Sequence, residues 1–540
     1  MRFLVPVAAL FGGAAAQIGS HQMLAGYQSA SDVGPHSMID LDMEELETKV
    51  GEYATNANWI TEAMFIYENG GGGLCSQADV DAAMTSDTTP WCTDTTQAFG
   101  NSQKSTSIRT LKGFATKNYA SDKLTGADGG NYGERMPPIY AGYWNDWAWA
   151  DTFITKDYSA TVKPSGWNQL IKKGANYQAV WMYVLHELED AIGDCYAGDI
   201  YANDGTPTGG APHAWDEGWA FYAGSQVAAT AAGAVTDDGT LIWELAEKRG
   251  KGFDTTHSTG PATVNVKLLA KFIEGRDLII AGKCAEAESL VDPIRAQMTV
   301  PLVQGTLNYA LKAADPANAI SACVVDAGKN AMTASDDCVE SWADAWAFAA
   351  AVLPQVAECD WGAAETIRYN LDIEAAAPVQ GGFYSVKSAI ESTYRCLGIT
   401  CADVGAYPGT MPCSEPDDDD DDDDDDDLLD GGLREVMSLA PMGLAAIGLT
   451  FTGISIAAIA NAFQEQCALG PTIIFEAGTT HPYYITPNLC TIGAHTYSSK
   501  KTVRDASPRK VCRKFCEAAS ASGKLALKQV HGLTCYCKRK

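Results

Sequence analysis

Ala214-Trp215-Asp216-Glu217-Gly218-Trp219-Ala220-Phe221 returns 127 residues later as Ser341-Trp342-Ala343-Asp344-Ala345-Trp346-Ala347-Phe348. Upstream of each copy, Gln178 followed by Tyr183-Val184-Leu185 returns as Gln304 followed by Tyr309-Ala310-Leu311, at an offset of 126. Two separate segments sharing nearly one offset mark a duplicated unit. The period exceeds the about 20–50 residues of solenoid repeats, so tandem subdomains are expected. Apolar residues recur at helical rather than alternating spacing over 176–192, 215–232, 267–280, 304–314 and 341–352. Gly, Pro, Asp and Thr clusters at 125–133, 204–212 and 255–261 separate these stretches as loops. The expected fold is all-α. It has duplicated helical units over about 166–292 and 293–402, and a diverged first unit over about 40–165 with the aromatic run Tyr143-Trp144-Asn145-Asp146-Trp147-Ala148-Trp149.

The ends of the chain carry different signals. Residues 1–16, MRFLVPVAALFGGAAA, combine a basic Arg2, an apolar stretch and an Ala14-x-Ala16 cleavage site, and read as a secretory signal peptide. Sixteen Cys fall ten before and six after a run of eleven Asp at 417–427. Both subsets are even, as expected if each region closes its own disulfides in an oxidising compartment. No CxxC…CxxC or CxxC…HxxxH zinc pattern occurs. A 414–432 linker holding the Asp run is expected to be extended and solvated. Beyond it, 436–463 is 28 residues without a charge, long enough for a bilayer core that needs about 20, and reads as a transmembrane helix. The tail at 464–540 is basic and Cys-rich, with 12 Lys or Arg against 4 Asp or Glu. Its charge places it inside by the positive-inside rule, whereas its six Cys place it outside, and the sequence leaves both open.

Most of a formal net charge of −30 belongs to the body at 17–413. Such a surface repels nucleic acid and attracts cations, which directs attention to metal ligands. His186-Glu187-Leu188-Glu189-Asp190 and His213-Ala214-Trp215-Asp216-Glu217 both read His-x-x-acid-acid, in a chain with only eight His. On a helix, positions i, i+3 and i+4 share a face. Each pentad therefore sets an imidazole beside two carboxylates, a ligand set suited to iron, manganese or zinc. His186, Glu189, Asp190, His213, Asp216 and Glu217 are the candidate ligands. In the second copy, His213 and Glu217 correspond to Glu340 and Asp344, which are weaker candidates, as are Glu244 and Glu247 at helical spacing. The competing reading makes the pentads charged flanks of an aromatic core. His186-Glu187-x-x-Asp190 lacks the second His of a zinc-peptidase helix, and no G-x-S-x-G elbow or P-loop occurs.

The strings VLHELEDAIGDCYAGDIY, PHAWDEGWAFYAGSQ and the later ESWADAWAFAAA, in an exported, acidic, Cys-bridged helical body, resemble the low-iron-inducible periplasmic proteins of algae, also called iron-assimilating proteins. The resemblance covers about residues 40–402. It implies a periplasmic or cell-surface protein that assists iron uptake and is itself neither transporter nor redox enzyme. Combined with the pentads, it leads to an expected function. The chain is a surface-tethered, non-enzymatic protein that captures Fe³⁺ or Fe²⁺ and delivers it to a permease, with a ferroxidase as a further possible partner and no nucleic acid. A surface adhesion or structural protein without a metal site is the alternative, and a metal-dependent hydrolase the third reading.

Overall fold

The computed structural model describes residues 23–70, 103–104, 107–121, 124–227, 239–314, 323 and 328–413, and two strands near the C-terminus. They belong to two units, Met1–Ser414 and Glu415–Lys540.

The first unit is mostly helical. Its longer helices are α1 (Ile39–Gly51), α2 (Trp59–Asn69), α3 (Met136–Trp144), α4 (Pro164–Gly174), α5 (Trp181–Ala197), α6 (Gly210–Ala223), α7 (Ile242–Gly252), α8 (Thr263–Ile280), α9 (Val291–Ala313), α10 (Asp336–Cys359), α11 (Trp361–Leu371) and α12 (Phe383–Glu391). A π-helical turn, Ala175–Val180, joins α4 to α5 as one rod. Pro164 begins the rod where its missing N–H is not needed. Gly198 ends it in the left-handed region at φ +84°, with its N–H on the Asp194 and Cys195 carbonyls.

The duplicated strings become two helix pairs, α5 with α6 and α9 with α10, and these make the most extensive helix–helix contacts of the unit. Trp215 and Trp342, equivalent in the two copies, are completely buried. Each donates its indole N–H to a carbonyl of a crossing helix, Trp215 to Phe272 in α8 at 2.9 Å and Trp342 to Leu371 in α11 at 3.0 Å. Glycine sets two of the close approaches. A Cβ on Gly275 would lie 1.9 Å from the Trp215 ring, and one on Gly305 would lie 2.4 Å from the Phe348 ring. One apolar core runs through 40–165, 166–292 and 293–402 alike.

Helix boundaries differ from the periodicity where side chains intervene. The stretch at 215–232 stops as a helix at Ala223, because Asp40 accepts the N–H groups of Ser225 at 2.6 Å and Gln226 at 2.8 Å in place of another turn. In the other direction, α10 extends beyond 341–352 to Asp336, where the Ser335 side chain accepts the Cys338 N–H.

Disulfides join Cys195 to Cys284, Cys323 to Cys338, Cys359 to Cys396 and Cys401 to Cys413. No described cysteine is free. In the second unit the described residues are an antiparallel hairpin, Leu525–His531 against Thr534–Arg539, with a register shift between Leu527 and Gln529. Residues 1–16, the 414–432 linker and 436–463 lie outside the described residues. Among the described residues no helix is long and apolar enough to cross a membrane.

Candidate metal centre

Where α5 and α6 face each other, the Glu217 carboxylate gathers three basic side chains. Its Oε1 is 2.8 Å from His213 Nε2, one helical turn earlier, and 3.0 Å from Nε2 of His36, on the short helix Gly34–Ser37. Arg109 reaches both oxygens through Nη2, at 2.9 and 2.8 Å. The two imidazole rings meet edge to face with centroids 5.1 Å apart. One ligand atom from each of His36, His213 and Glu217 lies within 4.8 Å of the others. His36, Arg109 and Glu217 side chains are at most 10% exposed and that of His213 is 37% exposed, so solvent reaches the centre past His213.

Charge is finely set here. Burial would raise the Glu217 carboxyl, but hydrogen bonds from His213 and His36 and the positive charge beside it hold it well below the ordinary carboxylate range. Burial pushes His36 down against the pull of Glu217, which favours the neutral ring that ligates metals. On α5, Glu187 is pushed well above its usual range, by burial first and then by the charges of Glu217 and Asp190. Tyr183 closes the apolar side. It stacks on Phe114 at 3.8 Å between centroids, and burial raises its phenol.

Two imidazoles and a carboxylate suit Fe²⁺, Mn²⁺ or Zn²⁺. The two imidazole nitrogens lie 2.8 and 3.0 Å from Glu217 Oε1 and the three ligand atoms lie within 4.8 Å of one another, close enough for one ion to be shared among them. The residues present fit a metal ion.

The centre unites only part of the two pentads. His213 and Glu217 meet at it. Asp216 points away and holds the loop that supports it. Its carboxylate accepts Tyr27 Oη at 2.5 Å, the Ala30 and Ser31 N–H groups at 2.8 Å each, and Ser31 Oγ at 2.9 Å. Ser31 Oγ in turn lies 3.0 Å from His213 Nδ1. His186 and Glu189 belong to a different cluster. His186 Nδ1 is 2.8 Å from Glu134 Oε1, and Glu189 accepts the Arg135 N–H at 2.9 Å. Asp190 is half-buried and acts through its charge on Glu187 and on Asp194. Glu340 accepts from Gln169 at 2.8 Å and Asp344 lies 2.6 Å from Lys173. Glu244 pairs with Lys248, and Glu247 Oε1 accepts from the Ala262 N–H and from Asn265.

Three members of the centre were not candidates from sequence. His36 and Arg109 come from distant segments and carry no pattern of their own. Glu187 lay inside a pentad, and helical phase was its signal. Spaced three from Asp190 and seven from Asp194, it shares their face of α5.

A family model described as low iron-inducible periplasmic protein matches residues 2–417, most of the chain and all of the helical unit around this centre. The chain belongs to that family. The low iron-inducible periplasmic protein match extends the 40–402 resemblance to both sides, and the family's name connects this helical unit with low iron and the periplasm. No curated protein and no solved structure matches the chain.

Proposed function

We propose that this protein is an iron-capturing protein of the periplasm or cell surface, not an enzyme. It takes Fe²⁺ or Fe³⁺ as cargo at His36, His213 and Glu217 and yields it to a membrane permease, beside a ferroxidase at the cell surface. The observation that carries the reading is the convergence of two imidazoles and one carboxylate in a mostly buried cluster exposed at His213.

Arg109 makes the capture reversible. Its guanidinium holds both Glu217 oxygens and competes with the metal for them. Charge-assisted hydrogen bonds of about 1.5–3 kcal/mol are strong enough to lower affinity without abolishing it. Asp190 and Asp194 add negative charge on α5, and with the acidic body they concentrate cations at low salt. Tethering through 436–463 belongs to the same proposal, and membrane fractionation of cells expressing the chain with and without 436–463 tests it.

Anaerobic Fe²⁺ titration of the full chain tests the capture itself. One tightly bound ion per chain is expected, lost in His36→Ala/His213→Ala and kept in His186→Ala. Equal uptake by the wild type and the His36/His213 variant would refute the assignment.

A further inference from the structure

The α9–α10 pair rebuilds the surroundings of Glu217 around Asp344. By the repeat, Tyr309 stands for Tyr183, Asp344 for Glu217 and Phe348 for Phe221. In the first pair the Arg109 guanidinium lies 5.7 Å from the Phe221 ring centre, with its charge beside the Tyr183 hydroxyl. In the second, Arg249 of α7 lies 6.0 Å from the Phe348 ring centre and 5.3 Å from the Tyr309 ring centre. Arg109 and Arg249 are not related by the repeat offset. The same arrangement of arginine, tyrosine, phenylalanine and acid is therefore assembled twice from unrelated segments.

The cation at the acid is what differs. Glu217 faces His36 and His213, whereas Asp344 faces the Lys173 ammonium. Lys173 Nζ is 2.6 Å from Asp344 Oδ1 and 2.6 Å from Gln169 Oε1, with the Tyr309 ring centre 5.9 Å away. Gln169 donates to Glu340 at 2.8 Å, and Glu340 is the counterpart of His213. Asp344 is 3% exposed and Lys173 is 8% exposed. Asp344 Oδ1 nevertheless takes no hydrogen bond, so the ammonium meets it as a charge and not along a hydrogen-bond axis. Lys172 and Lys312 flank the cluster and add positive charge beside Asp344 and Glu340.

We infer that the second helix pair carries a second ion centre whose resident cation is Lys173, and that this ammonium occupies the place of a metal between the oxygens of Asp344 and Gln169, with Glu340 held beside them by the Gln169 amide. The inference rests on reading the first centre as a metal site. The wild-type chain then takes metal at one of its two related centres. Without the ammonium, the second presents an all-oxygen donor set for a hard divalent cation such as Mn²⁺.

The test uses the full chain with His36→Ala/His213→Ala, so that the first centre contributes nothing and the acidic linker contributes equally throughout. Mn²⁺ binding is read from loss of the free-ion electron paramagnetic resonance signal. Lys173→Met, and Lys172→Gln/Lys173→Met, are expected to bind one Mn²⁺ more per chain than this background, and adding Asp344→Asn removes it. If Lys173→Met loses helical circular dichroism, Lys173→Gln, which can keep the contact with Gln169, carries the same comparison. Folded variants binding no more Mn²⁺ than the background would overturn the inference. Failure of the first centre would show separately, as Fe²⁺ binding by the otherwise wild-type chain that does not depend on His36 and His213.

Discussion

Asp216 separates a positioning role from a ligating one. Asp216→Ala leaves three donors without an acceptor, Tyr27 Oη and the Ala30 and Ser31 N–H groups, while Ser31 Oγ can turn to His213 Nδ1. All belong to residues no more than 3% exposed. At the low end of about 1 kcal/mol for each stranded buried donor, the loss is about 3 kcal/mol. Asp216→Asn behaves differently. Its carbonyl can keep the three donors from Ala30 and Ser31 while its amide turns to the Tyr27 oxygen, so the cost falls to about 1–2 kcal/mol. Because Ser31 Oγ supports His213 Nδ1, Asp216→Ala should also weaken metal binding by about 10–100-fold, the usual effect of losing a group that orients a ligand. Asp216→Asn should bind nearly as wild type. Urea unfolding gives the first quantity and Fe²⁺ titration the second. The reasoning fails if Asp216→Ala costs under about 1 kcal/mol, or if Asp216→Asn loses metal as completely as Glu217→Gln, which would make Asp216 a ligand.

Other consequences are as direct. Burial pushes the Glu189 carboxyl up to about 7 from 4.5, with Arg135 opposing and Glu134 adding. The folded state thus holds the proton more tightly, and stability from this group is full below about pH 4.5 and lost as pH rises through about 7, by about 3 kcal/mol. Glu189→Gln should therefore gain on the wild type progressively from pH 4.5 to 8 in thermal unfolding, and a pH-independent difference would contradict this. Gly275→Ala drives a methyl into Trp215 and should cost about 3 kcal/mol or more, as overpacked cores do, whereas Gly51→Ala, with open space around it, should not. Cys195→Ser/Cys284→Ser opens a bridge with a sequence separation of 89. It should cost about 4–5 kcal/mol in denaturant, since loops of that size confine the unfolded chain most.

How far the sequence carries depends on the range of the interaction. Helical periodicity located the cores of α5, α6, α8, α9 and α10, because the apolar face of each is written in consecutive residues. The repeat likewise exposed the two helix pairs, since Trp215 and Trp342 do the same work in each. The end of α6 was not legible, because it is set by Asp40, far away in the chain. The centre shows the same division. His213 and Glu217 were found because they share a helix face. His36 was not, because it joins Glu217 only through the tertiary fold. Asp216 illustrates the converse: one residue before Glu217, it lies about 100° around the helix and faces a different partner. The two-pentad pattern placed His186 with His213, yet His186 turns to Glu134.

Anomalous diffraction at the iron edge, from crystals of the protein grown or soaked anaerobically with Fe²⁺, reads the position of the metal directly. The account predicts one strong peak per chain bonded to His36 Nε2, His213 Nε2 and a Glu217 oxygen, with none beside Lys173. A principal peak at His186 and Glu189, or iron only on exposed carboxylates, would contradict it.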